Sequence, residues 1–144
     1  MPIEQLERQE LTRAIITAFY EVYNKLGHGF LEAHYALALE RKLRAAGRRV
    51  AREYAIRVYF EGEELGFHRL DLVVDDCVVV EIKATASLHP SARRQLLNYL
   101  RATNLEVGLL FNFGLEPKFL RLYVPSTEKG KNETADESGA LLRS

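Results

Sequence analysis

From residue 9 to 26, apolar side chains recur at Leu11, Ile15, Ile16, Phe19, Val22, Tyr23 and Leu26. That is helical spacing, with a stripe wide enough to dock on a core. Residues 1–8 read as a frayed lead-in. Gly27-His28-Gly29 stops the helix, because glycine readily takes the left-handed conformation that ends helices. A second helix is predicted from Phe30 to Ala46, with the stripe Leu31, Tyr35, Leu39 and Leu43 and Gly47 as its end. The period then changes. Tyr54–Phe60 is rich in aromatic and β-branched residues and reads as a strand. The run 61–66 reads as a turn, Phe67–Val74 as a second strand, and Asp75-Asp76 as another turn. Val78–Ala84 is nearly all apolar, as a central strand covered on both faces would be. Ser87-Leu88-His89-Pro90 opens a third helix that runs to about Thr103, with Ser87 as its expected cap. Leu105–Phe111 and Phe119–Val124 complete the strands. Strand, helix and strand across 78–111 predict a right-handed parallel crossover. The expected order is α-α-β-β-β-α-β-β: an α/β domain whose mixed sheet is flanked by helices.

Composition acts mainly by exclusion. The 144 residues make one domain's worth of chain, expected over 1–126. The segment 127–144 is polar, Gly/Ser-containing and expected to be a flexible tail. No run approaches the roughly 18 apolar residues of a membrane span. The charged N-terminus lacks the apolar core of a secretory signal. Cys77 is the single cysteine, which excludes an internal disulfide, a cysteine metal cage and a cysteine-held iron–sulfur cluster. A cytoplasmic location is expected. Lys+Arg and Asp+Glu each total 20, so the chain lacks the strongly basic profile of many dedicated DNA-binding domains. Charge is nevertheless local: the run 41–52 holds Arg41, Lys42, Arg44, Arg48, Arg49 and Arg52 and no acid. It reads either as a phosphate-binding patch or as a solvated helix end.

Some polar residues stand where packing alone would place hydrocarbon. Glu81 and Lys83 interrupt the most apolar strand at i and i+2, which puts both on one face. Burying either unpaired is costly. Asp71 lies on the preceding strand, and the hairpin register decides where it points. A two-residue loop at Asp75-Asp76 aims it away from Glu81. A three-residue loop, Asp75-Asp76-Cys77, sets it opposite Glu81, and this is the expected register. The trio then makes either a buried ion-pair network or a site for a hard divalent cation, which needs only one or two carboxylates. Glu32 shares the inward stripe of the second helix with Tyr35; the plainer explanation is an acid favoured at a helix N-terminus. Gln95 and Tyr99 are four apart on one face of the third helix, flanked by Arg94 and Arg101; taken alone, an amphipathic helix edge is the plainer explanation.

Together these residues resemble the PD-(D/E)XK nuclease superfamily: Asp71, then Glu81-Ile82-Lys83 as (D/E)-x-K, then Gln95 to Tyr99 as Q-x-x-x-Y. Within it the chain resembles the small GxxExxY protein family, through Gly29-Phe30-Leu31-Glu32-Ala33-His34-Tyr35 and the run 108–114. Leu70 stands where the superfamily name has proline, and His28 where the smaller family often has one. The resemblance implies a restriction-endonuclease-like fold and a metal-dependent nuclease using Mg2+ or Mn2+. Asp71 and Glu81 would be metal ligands, with the Ile82 carbonyl as a third, and Lys83 the catalytic lysine. Glu32 would be the acidic residue near the metal, and Gln95 and Tyr99 would position the substrate backbone. The implied partner is nucleic acid, with DNA expected, reached through the 41–52 run and Arg93, Arg94 and Arg101. A homodimer that engages two strands is a further implication, with Phe60 or Phe67 at its interface. The alternative is a catalytically silent module of the same fold that binds nucleic acid or a protein partner.

Overall fold

The computed structural model describes residues 2–128, 133–135 and 141–142. Helices α1 (Ile3–Leu26) and α2 (Glu32–Ala45) precede strands β1 (Val50–Phe60), β2 (Glu63–Val74) and β3 (Val78–Lys83). Helix α3 (Ser91–Arg101) then leads to β4 (Val107–Phe113) and β5 (Pro117–Tyr123). The order is α-α-β-β-β-α-β-β, as expected. The strands lie in the spatial order β5-β4-β3-β2-β1, and only β3 and β4 pair in parallel. Two short strands, β6 (Glu133–Ala135) and β7 (Leu141–Leu142), continue the sheet past β1. The rest of the segment expected to be a flexible tail, 129–132, 136–140 and 143–144, lies outside the described residues.

The sheet separates two cores. On one face, Ile15, Phe19, Tyr35 and Leu39 of α1 and α2 pack on Val78, Val80 and Ile82 of β3 and on Leu109, Phe111 and Phe113 of β4. On the other, Leu96 and Leu100 of α3 pack on Leu70, Val73, Val79 and Leu110. Strand β3 is therefore covered on both sides. Alternation along it sends Glu81 and Lys83 to the α3 side. A Cβ at Gly108 would stand 3.0 Å from a methyl of Leu96 and of Leu100, so glycine there lets α3 come close to β4.

Several boundaries move. Helix α1 starts at Ile3 rather than residue 9. Residues 3–8 are mostly good helix formers, and Arg8 is tied to Glu106 at 2.7 Å. Strand β1 starts at Val50 because Val50, Ala51 and Arg52 find ladder partners in Val74, Val73 and Leu72. The expected 61–66 turn shrinks to Glu61-Gly62, both at positive φ (50° and 82°), the geometry of a tight two-residue hairpin. Ser87 does not cap α3; Pro90 occupies the N-cap, with no side-chain cap.

Candidate active site

The β2–β3 ladder pairs Val74 with Val78, Val73 with Val79 and Leu72 with Val80. The loop is therefore Asp75-Asp76-Cys77. Asp75 and Asp76 both take positive φ, near 52° and 53°, and Asp75 accepts the Arg49 N–H at 2.8 Å. This register carries Asp71 to the position opposite Glu81. The regular ladder stops there, and the two carboxylates bridge the strands instead. Ile82 N–H donates to Asp71 Oδ2 at 2.7 Å. Asp71 N–H donates to Glu81 Oε1 at 3.1 Å. Among the described residues no hydrogen bond engages Asp71 Oδ1 or Glu81 Oε2.

Glu81 is buried and Asp71 half-buried. Burial, with the Asp71 charge next, pushes the Glu81 carboxyl up to about 8. Asp71 is also raised, first by burial; the Ile82 N–H and Lys83 act against this, and Glu32 and Glu53 with it. Lys83 thus faces a surplus of acid. Glu32 is exposed in the first turn of α2, yet its charge reaches both carboxylates. Helical spacing predicts Glu32 inward with Tyr35; only Tyr35 is buried, because Glu32 opens the helix at its exposed first turn.

Tyr35 explains how the α1–α2 connection is held. Its ring stacks on Phe113 at 4.0 Å, and its hydroxyl donates to Gly27 O at 2.6 Å and accepts the Phe30 N–H. Gly29 takes φ 101°, which a side chain would oppose. The G-x-x-E-x-x-Y run is thus one local device that ends by presenting Glu32 from α2.

Tyr99 lies on the Glu81 side: burial, then the Glu81 charge, raises its hydroxyl pKa. Gln95 is exposed, and among the described residues no hydrogen bond joins it to the carboxylates. Ile82 contributes its N–H, while its side chain belongs to the opposite core.

Three contributors were not singled out from sequence. Asn112 is buried and clasps the backbone of Thr85, accepting its N–H at 3.1 Å and donating to its carbonyl at 3.0 Å. That fixes the chain just beyond Lys83. Glu53 sits across from Asp71 on β1, in the gap between the pairs Arg52–Leu72 and Tyr54–Leu70, with φ 54°. A left-handed glutamate inside a strand is uncommon, and no sequence pattern announces it. His68 stacks on Tyr99, ring centroids 4.0 Å apart.

The basic run is largely committed elsewhere. Lys42, Arg44, Arg48, Arg49 and Arg52 pair with Glu21, Glu40, Asp75, Asp76 and Glu40. Among the described residues only Arg41 of that run is without an ion pair. Arg93, Arg94 and Arg101 on α3 are exposed and carry none. Cavities of 450–570 Å³ lie away from the carboxylates, along α1 or beside Asn112 and Phe119. The acidic centre lies between two interior strands of the sheet, where the β2–β3 ladder ends.

Among the described residues no three His, Cys, Asp or Glu side chains form a ready-made metal site. Mg2+ does not require one, since one or two carboxylates suffice when carbonyl oxygens and water complete the shell. Two hard oxygen donors with acidic surplus fit such a cation. No helix is long and apolar enough to cross a membrane among the described residues.

The fold and this carboxylate pair define a restriction-endonuclease-like α/β domain. The chain belongs to the PD-(D/E)XK nuclease superfamily, whose family model matches residues 9–122. No curated protein matches. The solved structure of SSO0001 is similar over 65% of this chain and 50% of its own, with 21% identity and a TM-score of 0.48. The chain thus spans half the length of that protein.

Proposed function

We propose that this protein is a divalent-cation-dependent nuclease of the GxxExxY type, hydrolysing phosphodiester bonds in nucleic acid, with DNA as the expected substrate. The observation that carries the reading is the crosswise bonding of Asp71 and Glu81, with Lys83 on the same strand face as Glu81. Two coupled acids sharing one lysine are more than a packing account needs, and perturbed carboxyls of this kind concentrate at functional sites.

Asp71 Oδ1, Glu81 Oε2 and the Ile82 carbonyl would hold Mg2+ or Mn2+. When bound, the ion supplies charge neutralisation at a phosphate and a more acidic water. Lys83 orients the attacking water and offsets negative charge growing on the non-bridging oxygens. The water oxygen bonds to phosphorus as the bond to the departing sugar oxygen breaks; the attacking water gives up a proton to solvent, and the departing oxygen takes one up from solvent. Tyr99 and the exposed Gln95, Arg94 and Arg101 form the α3 surface along which the substrate backbone lies. Glu32 adds negative charge that favours the cation. The exposed α3 surface beside the carboxylates suits a polymer, and the exposed Phe60 and Phe67 suit a second copy of the chain.

The test is cleavage of single- and double-stranded DNA and RNA with Mg2+, Mn2+ or chelator. Cation-dependent cutting that Asp71→Asn, Glu81→Gln and Lys83→Ala each reduce by orders of magnitude is the expected result. Cutting of no substrate, or equal cutting by these variants, overturns the proposal.

A further inference from the structure

Among the described residues one buried side-chain nitrogen or oxygen lacks a hydrogen-bond partner, and it is His68 Nε2. Such an atom is costly to leave unsatisfied, and its presence asks what it meets when the site is loaded. The ring has little freedom. It lies flat on Tyr99, with centroids 4.0 Å apart and 14° between the planes. Tyr99 is carried by α3, which Gly108 allows close to the sheet. The His68 backbone is fixed by pairing with Ile56 on β1. So held, Nε2 stands 4.0 Å from Glu81 Oε2, the carboxylate oxygen that no backbone N–H engages. That distance is too long for a direct hydrogen bond. At that separation a single water can serve both atoms.

We propose that His68 is a positioning residue for the cation: its Nε2 accepts a hydrogen bond from a water in the hydration shell of an ion held at Glu81. This rests on the nuclease reading, and it adds to that reading a residue outside the Asp71, Glu81 and Lys83 set. The chemistry is consistent on three counts. Mg2+ dehydrates reluctantly and keeps several waters, which need acceptors. A neutral imidazole has one acceptor nitrogen, and it is the Nε2 edge of the ring that is turned toward Glu81. The absence of a ready three-side-chain metal site agrees with a histidine acting through water rather than as a direct ligand.

The experiment titrates Mg2+ and Mn2+ calorimetrically into metal-free wild type, His68→Phe, His68→Gln and Asp71→Asn. His68→Phe keeps an aromatic ring for the Tyr99 stack and removes the acceptor. It should weaken cation binding about tenfold or more, as loss of an outer-shell partner does. His68→Gln, whose carbonyl can accept, should recover part of the affinity, and it serves alone if the Phe variant fails to fold. Pulsed electron paramagnetic resonance of the Mn2+-loaded wild type should show a weakly coupled 14N nucleus that His68→Phe removes. Unchanged affinity in both His68 variants, no 14N signal, or the strong coupling of a directly bound nitrogen would each overturn the inference while leaving the nuclease reading intact, provided Asp71→Asn abolishes binding. Failure of wild type to bind either ion overturns both.

Discussion

Asp71 and Glu81 each accept a hydrogen bond from the backbone of the strand opposite, Asp71 from Ile82 and Glu81 from Asp71 itself. The exchange lies where the β2–β3 ladder ends, so two carboxylates do the pairing that backbone carbonyls do elsewhere. One oxygen of each acid is spent on holding the strands, and the other is left facing the site. Structure and chemistry are thereby coupled: changing either acid alters both the strand split and the charge available to a cation.

The first consequence is a pH dependence of stability in the metal-free protein. The folded Glu81 carboxyl titrates near 8 against an ordinary 4.5. A raised carboxyl means the folded state keeps a proton the unfolded chain has released. Its contribution to stability is complete below about pH 4.5 and is lost as pH rises through about 8. Asp71, also raised, acts in the same direction. The loss should be on the order of a few kcal/mol. Denaturant unfolding in chelator from pH 5 to 9 checks this. Glu81→Gln should show a flatter profile, and an equally steep one counts against the assignment.

A cation should reverse that trend. It competes with the Glu81 proton, so Mg2+ should raise the melting temperature more at pH 8.5 than at pH 5.5. At a concentration one hundred times the dissociation constant the gain is about 2.7 kcal/mol. Asp71→Asn should abolish the shift, and calorimetric melting with and without Mg2+ measures it.

Asn112 offers a test of indirect positioning. Replacing it with alanine leaves the Thr85 N–H and carbonyl without their partners. The cost should be about 1–3 kcal/mol. Because the clasp lies two residues beyond Lys83, any cleavage activity should fall by more than the folded fraction does. Comparing chemical denaturation with kcat on the same samples separates the two effects.

Tyr35→Phe should keep the ring stack on Phe113 and lose the hydroxyl that joins Gly27 O to the Phe30 N–H. The expected destabilisation is about 1–3 kcal/mol. Amide exchange should rise locally at Phe30 and the start of α2. If exchange there is unchanged, the hydroxyl does not hold the connection.

The periodicity of the chain carries most of the fold. Three helices, the order of elements along the chain and the apolar β3 all follow from local alternation, because burying one face requires that pattern whatever the partner. The hairpin loop does not follow from it: two- and three-residue loops both fit the alternation, and the pairing of Val74 with Val78 decides for three. Element ends are less legible. Val50–Arg52 become strand only because β2 lies beside them.

What the sequence determined by itself was the inventory: which acids interrupt apolar segments, and that Glu81 and Lys83 must share a side. Tertiary structure decided the company they keep. It buried His68 Nε2 beside Glu81, put a left-handed Glu53 across from Asp71, set Asn112 on Thr85, and committed most of the 41–52 cations to ion pairs with Glu21, Glu40, Asp75 and Asp76. The physical reason is range. Backbone periodicity is set by neighbours a few residues away, whereas these encounters depend on how far two strands part and how closely a helix approaches the sheet.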